Sequence, residues 1–416
     1  MLCKNINRIV VFVLAIALIT LCFTGCNKED DKSVDLSSSQ TGSNSSSAGD
    51  KLPPASNADS SNSSGNTPDP NPDLPNPPEE KEYSAFRGDV TLPIDMDVLK
   101  QLKVNIVTPD RYTAWPMLGI AKDRLVCIYT VADQHSATEA GLYMKSSSSN
   151  GFSWTAPKEI LTEKTGVKGI TGTGNDSKGN LLIWYRNGSP GAWQTTHELY
   201  KTNGDQVVQV SLPDFPLRGG HIGNIFSVEN ELFCFYNTYG NTRSWGLLKS
   251  IDDGLNWEQI PIEENLPKAE CPVEIDGVYL GEGKILLLGR KDANEGTIAM
   301  FQMQSSDYGK TWSKEYTNIT DALGSSPSMI LDSQSKDISL YFFARTSGQL
   351  KRREVNFKDV WNNPQNWSNS EILESESARG QDTGNVKTVS LNGLHIATYY
   401  AGSSTTTGIY GVIIKD

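Results

Sequence analysis

The chain has 416 residues and a formal net charge of −12, with 37 Lys and Arg against 49 Asp and Glu. A chain this acidic is repelled by phosphate backbones, so we do not expect it to bind nucleic acid. Its four histidines are scattered along the sequence. That scatter argues against a histidine-based metal site, and we predict neither a metal nor a cofactor.

The first 25 residues predict an export signal. Lys4 and Arg8 precede an apolar run from Ile9 to Phe23, which is too short and too terminal for a confident membrane span. The next residues, Thr24-Gly25-Cys26, resemble a bacterial lipobox. That resemblance implies cleavage before Cys26 and a lipid on its sulfur. We therefore expect an exported bacterial lipoprotein on the outer face of a membrane. It would touch the membrane only through this anchor. An ordinary signal peptide with an incidental cysteine is the alternative.

Residues 26–82 predict a tether between the anchor and a folded domain. The segment is rich in Ser, Asn, Pro, Gly and Asp and has almost no large apolar side chains. Such a composition cannot bury enough surface to offset the entropy lost on ordering, so we expect a disordered segment. Residues 83–416 then form the folded domain.

An eight-residue pattern, S-x-D-x-G-x-x-W, occurs twice in this domain, at Ser250–Trp257 and at Ser305–Trp312. A weaker copy, with serine at the acidic position, runs from Ser147 to Trp154. The pattern predicts a tight hairpin, in which Asp accepts hydrogen bonds from turn amides, Gly adopts a positive φ and Trp packs under the loop. This pattern is the Asp-box, and it resembles the repeat of sialidase-like (neuraminidase superfamily) β-propellers, also called the BNR repeat.

A longer repeat encloses these boxes. Openings of small residues recur about every 50 to 56 residues, and each leads through a turn to an apolar strand rich in β-branched and aromatic residues. Six such units predict an all-β fold, a six-bladed β-propeller of four-stranded antiparallel blades. We expect a strand within residues 83–107 to pair with residues 408–414 and close the ring.

The second strand of each predicted blade ends near the propeller axis. The residues at these ends are Asp133, Arg186, Asn237, Arg290, Arg345 and Tyr400. Guanidinium groups bind carboxylates and sugar hydroxyls well, so these ends predict one polar cleft. Pairing with local acids at the rim is the alternative for each arginine.

The resemblance to sialidases implies roles for several of these residues. Sialidases carry an early Arg-Ile-Pro, an acid/base Asp in the next loop and a basic Glu in blade four. Two further arginines and a nucleophilic Tyr in blade six complete their site. Here the segment from Ala269-Glu270-Cys271-Pro272 to Arg290 is similar to the Glu-to-Arg block. The resemblance therefore implies that Glu270 is the base, that Arg290 and Arg345 hold substrate, and that Asp133 is the acid/base.

Two departures point away from sialic acid. The position of the first arginine reads Ala114-Trp115-Pro116, and the blade-six region, residues 379–383, contains no tyrosine. Asp382 lies in that region, so either Asp382 or Asp133 would pair with Glu270. Two carboxylates suffice for glycoside hydrolysis. The other predicted substrate-binding residues are Trp115 as a stacking platform and Arg186, His221 and Asn224 as hydrogen-bonding groups. A packed core tryptophan and a satisfied buried imidazole are the alternatives for Trp115 and His221.

Three functions fit these observations. The first is a surface-anchored glycoside hydrolase of sialidase-like fold that acts on extracellular glycans, with either sialic acid or another sugar as its substrate. The second is a non-catalytic glycan-binding or adhesion propeller. The third is a polysaccharide lyase that uses His221 or Tyr400 as base and Arg290 to neutralise a uronate. A paired set of carboxylates in a deep axial cleft favours the hydrolase.

Overall fold

The computed structural model describes residues 95–416, apart from residues 136, 138, 166, 189–195, 213–214, 218, 293–298, 323 and 379–382. The predicted signal, Cys26, the tether and Asp382 lie outside the described residues. Within the described part of the chain, no helix is both long and apolar enough to cross a membrane.

Six antiparallel sheets form a ring in the described part of the chain, as the repeat predicted. A short helix, α1 (Met96–Leu99), precedes β1 (Gln101–Val107). Blade one contains β2 (Tyr112–Ala121), β3 (Arg124–Ala132), β4 (Glu139–Ser147) and β5 (Lys158–Thr165). Blade two contains β6 (Val167–Asn175), β7 (Leu181–Asn187), β8 (Thr196–Thr202) and β9 (Val207–Val210). Blade three contains β10 (His221–Ile222), β11 (Phe226–Val228), β12 (Glu231–Asn237), β13 (Thr242–Ser250) and β14 (Glu258–Pro267).

The other three blades repeat this order. A single 3-10 turn (Lys268–Glu270) leads into blade four, which contains β15 (Pro272–Gly281), β16 (Lys284–Lys291), β17 (Phe301–Ser305) and β18 (Ser313–Tyr316). Blade five contains β19 (Ser328–Leu331), β20 (Asp337–Ala344), β21 (Gln349–Asn356), α2 (Phe357–Asn362) and β22 (Glu371–Ser375). Blade six contains β23 (Gly384–Leu391), β24 (Leu394–Gly402) and β25 (Thr407–Lys415).

The ring closes by pairing the start of the domain with its end. β1 runs antiparallel to β25, with Gln101 opposite Ile414, and so supplies the fourth strand of blade six. The predicted pairing of these two segments is confirmed. Closure gives β25 a partner on both sides, β1 and β24, so β25 is not left as an exposed edge strand.

The second strand of each blade is apolar along most of its length because both of its faces pack against neighbouring blades. In β16, the side chains from Ile285 to Leu288 are fully buried. The same continuous burial runs through β7 and β20. These strands therefore hold the ends that follow them, where the arginines lie, in fixed positions around the axis.

The eight-residue patterns form the turns between the third and fourth strands of blades one, three and four. In the turn of blade three, the Gly254 amide donates to Ser250 Oγ at 2.9 Å. The Asn256 amide donates to Asp252 Oδ1 at 2.9 Å, and Trp257 Nε1 donates to the Gly254 carbonyl at 3.0 Å. The turn at Ser305–Trp312 repeats these bonds, and in the weaker copy Ser149 Oγ accepts the amide that the aspartate accepts elsewhere.

Each of these turns also covers the joint with the preceding blade. A Cβ atom placed on Gly254 would lie 3.1 Å from Leu182 Cδ1 of blade two, and one on Gly309 would lie 3.3 Å from Phe233 of blade three. Side chains at these positions would push the blades apart. The pattern therefore stabilises the ring rather than the site.

Candidate functional site

Three of the innermost strands carry the same irregularity where they approach the cleft. In blades one, four and six, one extra residue is inserted between the pairs Ala114/Met117, Val273/Asp276 and Gly384/Lys387. The first inserted residue has a left-handed backbone each time: Trp115 has φ 52°, Glu274 φ 51° and Asn385 φ 54°. A bulge re-aims its side chain, and such strained residues persist only where the surrounding structure holds them. The recurrence marks these positions as functional candidates.

Glu274 provides the carboxylate that pairs with Arg290. Its Oε1 lies 3.2 Å from Arg290 Nη2, and its Oε2 accepts a hydrogen bond from Ser326 Oγ. Burial by itself would raise the pKa of Glu274. The charges of Arg290 and Arg345, the Ser326 hydroxyl and His221, whose ring is protonated in acid, outweigh burial and lower the pKa to about 2. Glu274 is therefore ionised at neutral pH.

This position corrects the sequence assignment of Glu270. Glu270 is exposed at the end of the 3-10 turn, and its carbonyl accepts a bond from Lys314 Nζ at 3.0 Å. The structure does not bring it to Arg290. The carboxylate that meets Arg290 lies four residues later, on the bulge of β15.

The three predicted arginines share one arrangement. Each follows or ends the second strand of its blade and lies over the start of the next blade. Arg186 Nη1 donates to the Gly220 carbonyl at 3.3 Å, and Arg290 Nη1 donates to the Gly324 carbonyl at 2.9 Å. Arg345 lies over Gly384, where an added Cβ atom would sit 3.3 Å from its Nε. The small-residue openings of the repeat therefore make room for these side chains.

The three arginines differ in whether a carboxylate neutralises their charge. Arg290 meets Glu274 at 3.2 Å and Asp292 at 3.8 Å. Among the described residues, neither Arg186 nor Arg345 has a carboxylate oxygen within 4 Å, and the Nε of each is buried without a hydrogen-bond partner. Burial lowers the pKa of Arg345, and the neighbouring charge of Arg290 adds to that effect. Two guanidinium groups of the cleft thus remain unpaired within the described structure.

His221 lies beside this cluster, half-buried on β10, where it pairs with Asn237 of β12. Its pKa is lowered to about 4, mainly by burial. The charge of Glu274 acts to raise this pKa, and the charges of Arg186 and Arg290 act to lower it. Its Nδ1 is buried and has no hydrogen-bond partner among the described residues. His221 is therefore a neutral imidazole at neutral pH, and the satisfied-imidazole alternative is wrong for this nitrogen.

Tyr239 is a cleft residue that the sequence did not single out. Its ring centroid lies 5.8 Å from the Arg186 guanidinium carbon and 5.3 Å from that of Arg243. Burial is the main cause of its raised pKa, and the charge of Glu274 acts in the same direction. Tyr239 follows the end of β12 by two residues. Its one sequence signal was its place just after Asn237, one of the predicted strand ends.

The blade-one side of the cleft is aromatic. The Trp115 ring lies 5.5 Å from His135, and Tyr112 Oη bonds His135 Nδ1 at 2.8 Å. Tyr112 also packs edge-on against Tyr400, with 6.4 Å between the ring centroids. Trp115 is only half-buried, so it packs against this cluster and keeps part of its ring accessible. Tyr112 and Tyr400 both act to raise the pKa of Arg345, so the aromatic group lies next to the arginines.

Two predicted site residues have other surroundings. The Asp133 side chain is 90% exposed and lies 3.4 Å from Arg111, outside the group around Glu274. Asn224 donates to Asp276 Oδ1 at 2.8 Å and accepts the Thr173 amide at 3.2 Å. Asn224 thus ties the innermost strands of three blades together. Within the described ranges, no group of three His, Cys, Asp or Glu side chains is placed to hold a metal ion.

Comparisons with known proteins bear on the fold. Protein-family models gave no match to this sequence. The curated proteins gave no significant match either. Solved structures do match: a protein of unknown function from Dyadobacter fermentans DSM 18053 superposes with a TM-score of 0.62 and 15% identity, over 76% of this chain and 99% of that one.

Two sialidases are also similar in structure. The Trypanosoma rangeli sialidase has a TM-score of 0.54 and 11% identity, over 75% of this chain and 59% of that one. The NanB sialidase from Streptococcus pneumoniae has a TM-score of 0.54 and 13% identity, over 76% of this chain and 70% of that one. Identities this low establish the fold alone. The chain is a six-bladed propeller of sialidase-like architecture.

Proposed function

We propose that this chain is a glycoside hydrolase that acts on an acidic sugar of an extracellular glycan, displayed on a bacterial surface by a lipid on Cys26. The basic cleft carries this proposal. Arg186, Arg290 and Arg345 reach it from three blades of a chain whose net charge is −12. A cluster of guanidinium forks suits a carboxylate-bearing or sulfate-bearing ligand.

Glu274 takes the basic role first assigned to Glu270. In the free protein, Arg290 and Ser326 hold it ionised. An acidic substrate that binds Arg345 would offset one of the charges that lower the pKa of Glu274. The pKa of Glu274 would then rise toward the range in which a general base is effective. The accessible part of Trp115 offers a surface on which a sugar ring stacks.

The absence of an arginine at Ala114-Trp115-Pro116 favours an acidic sugar other than sialic acid, such as a uronic acid. That position supplies one arm of the carboxylate clamp in the sialidases that the sequence resembles. In this chain Arg186 of blade two supplies a cation from a different direction. Two structural neighbours are sialidases by name, which supports a glycan as the ligand.

Glycan binding without catalysis is the second candidate, and the carboxylates favour it. Asp133 is 90% exposed, and Asp382 lies outside the described residues. The remaining carboxylate near Arg290 is Asp292, which is bound by Arg243 at 2.7 Å and lies 3.7 Å from Lys268. Both oxygens of Asp292 thus meet cations of the protein and are already engaged.

The test is a screen of the protein without its signal on acidic and neutral oligosaccharides, with E274Q and the exposed-site control E270Q. We expect hydrolysis of an acidic glycan, a loss of about 100-fold or more in E274Q, and no loss in E270Q. Binding without cleavage would support the second candidate, and an unsaturated product would indicate a lyase. If no acidic glycan is bound or cleaved, the proposal is wrong.

The anchor has its own test. Metabolic labelling with a fatty-acid analogue should tag the wild-type protein and not Cys26→Ala. Equal labelling of the two would rule out the lipid on Cys26.

A further inference from the structure

We propose that the cleft holds two separate anionic groups, one at Arg345 and one at Arg186, and that its ligand is a glycan with acidic groups on neighbouring sugar residues. This inference rests on the proposed function, because it assumes an acidic glycan in the cleft. It goes further by naming the ligand as a polyanion rather than a glycan with one terminal acid.

The two arginines lie on opposite sides of the axis. Arg186 lies at the end of the second strand of blade two and Arg345 directly follows that of blade five, and these blades face each other in a ring of six. Their surroundings differ accordingly. Arg345 is influenced by Tyr400, Arg290, Glu274 and Tyr112, whereas Arg186 acts on His221 and Tyr239.

The charges of the described cleft residues leave two cations for a ligand to offset. Glu274 neutralises Arg290, and His221 is neutral at neutral pH. The cations of Arg186 and Arg345 are left over, since neither has a carboxylate partner among the described residues. An uncompensated buried charge is costly, and one carboxylate can offset only one of the two.

A single anion cannot serve both arginines from the middle of the cleft. Glu274 lies near Arg290 and Arg345 and is ionised at neutral pH. A ligand carboxylate placed between Arg186 and Arg345 would meet this like charge, which is unfavourable at short range. Two anions, one at each arginine, offset both cations without a shared position between them.

Binding of matched disaccharides tests the inference. The probes are thio-linked galacturonic and glucuronic acid disaccharides that resist cleavage, with either two free carboxylates or one carboxylate esterified. Calorimetry should show that the wild-type protein binds the best diacid about 10- to 100-fold more tightly than its monoester, the range expected for a charge-assisted bond. Arg186→Met and Arg345→Met should each abolish this difference. Arg186→Lys and Arg345→Lys, which keep the charge, should restore part of it.

Arg124→Met is the matched control. Arg124 begins β3, is 36% exposed and pairs with Asp205 at 2.8 Å, so its loss should leave the diacid preference unchanged. Equal binding of diacid and monoester by the wild type, or a preference that survives in Arg186→Met, would overturn the two-anion inference while the proposed function stands. Failure to bind any acidic sugar would instead overturn the proposed function.

Discussion

The ion pair of Glu274 has a measurable consequence for stability in acid. Its pKa is lowered from 4.5 to about 2, a difference of about 2.5 units. At about 1.4 kcal/mol per unit, ionised Glu274 contributes about 3 kcal/mol of folding free energy relative to its protonated form. Because the folded pKa lies below the unfolded one, this contribution is complete above pH 4.5 and is lost as the pH falls toward 2.

Glu274→Gln removes the charge and keeps the side-chain shape and the left-handed backbone, so backbone strain cancels in the comparison. Urea unfolding of both proteins should be followed from about pH 6 to about pH 2. We expect the stability advantage of the wild type over the variant to shrink by about 3 kcal/mol across this range. Glu270→Gln is the control, and the advantage of the wild type over it should not change with pH. If the advantage over Glu274→Gln is also constant, Glu274 is not an ion-paired carboxylate.

Two further predictions concern the neighbours of this pair. Gly384→Ala should weaken the binding of an acidic sugar, because its Cβ atom would lie 3.3 Å from Arg345 Nε; Gly393→Ala, also at positive φ (71°) but with no atom within 4 Å, should lose stability alone. Titration with each ligand and a thermal melt separate the two effects, and equal binding by both variants would contradict the placement of Arg345. In an NMR titration the His221 ring should protonate near pH 4, and a midpoint near 6.5 would show that it is not desolvated between the arginines.

The fold could be predicted from sequence because its signals are local and repeated. The S-x-D-x-G-x-x-W turns require a particular residue at each fixed position, as the hydrogen bonds of Ser250 and Asp252 show. The strand-end positions of Arg290 and Arg345 could be predicted equally well, because regular strands at a constant spacing bring their ends to the same edge. Asp133 occupies the same kind of strand end, yet its side chain is 90% exposed. Strand position alone therefore does not fix where a side chain points.

The carboxylate of the site could not be located in this way. Glu270 and Glu274 are four residues apart, and a regular strand gives no reason to prefer the second. The bulge between Val273 and Asp276 turns Glu274 toward Arg290. Bulges depend on how a strand meets its neighbours in the ring, so they leave little trace in the sequence. The same holds for Asn385, whose bulge is formed by the pairing of β23 with β24.

The strained residues of the site and the turns that stabilise the ring lie in different parts of each blade. The arginines lie at the ends of second strands, whereas the eight-residue turns follow third strands, and neighbouring antiparallel strands run in opposite directions. The two sets therefore lie at opposite ends of the blades. At one end, turns such as Ser250–Trp257 satisfy their own polar groups and close the joints between blades. The left-handed residues and the unpaired guanidinium groups lie at the other end, together with Arg345 and Glu274. Because these ends are separate, the left-handed residues and unpaired guanidinium groups do not weaken the contacts that close the ring.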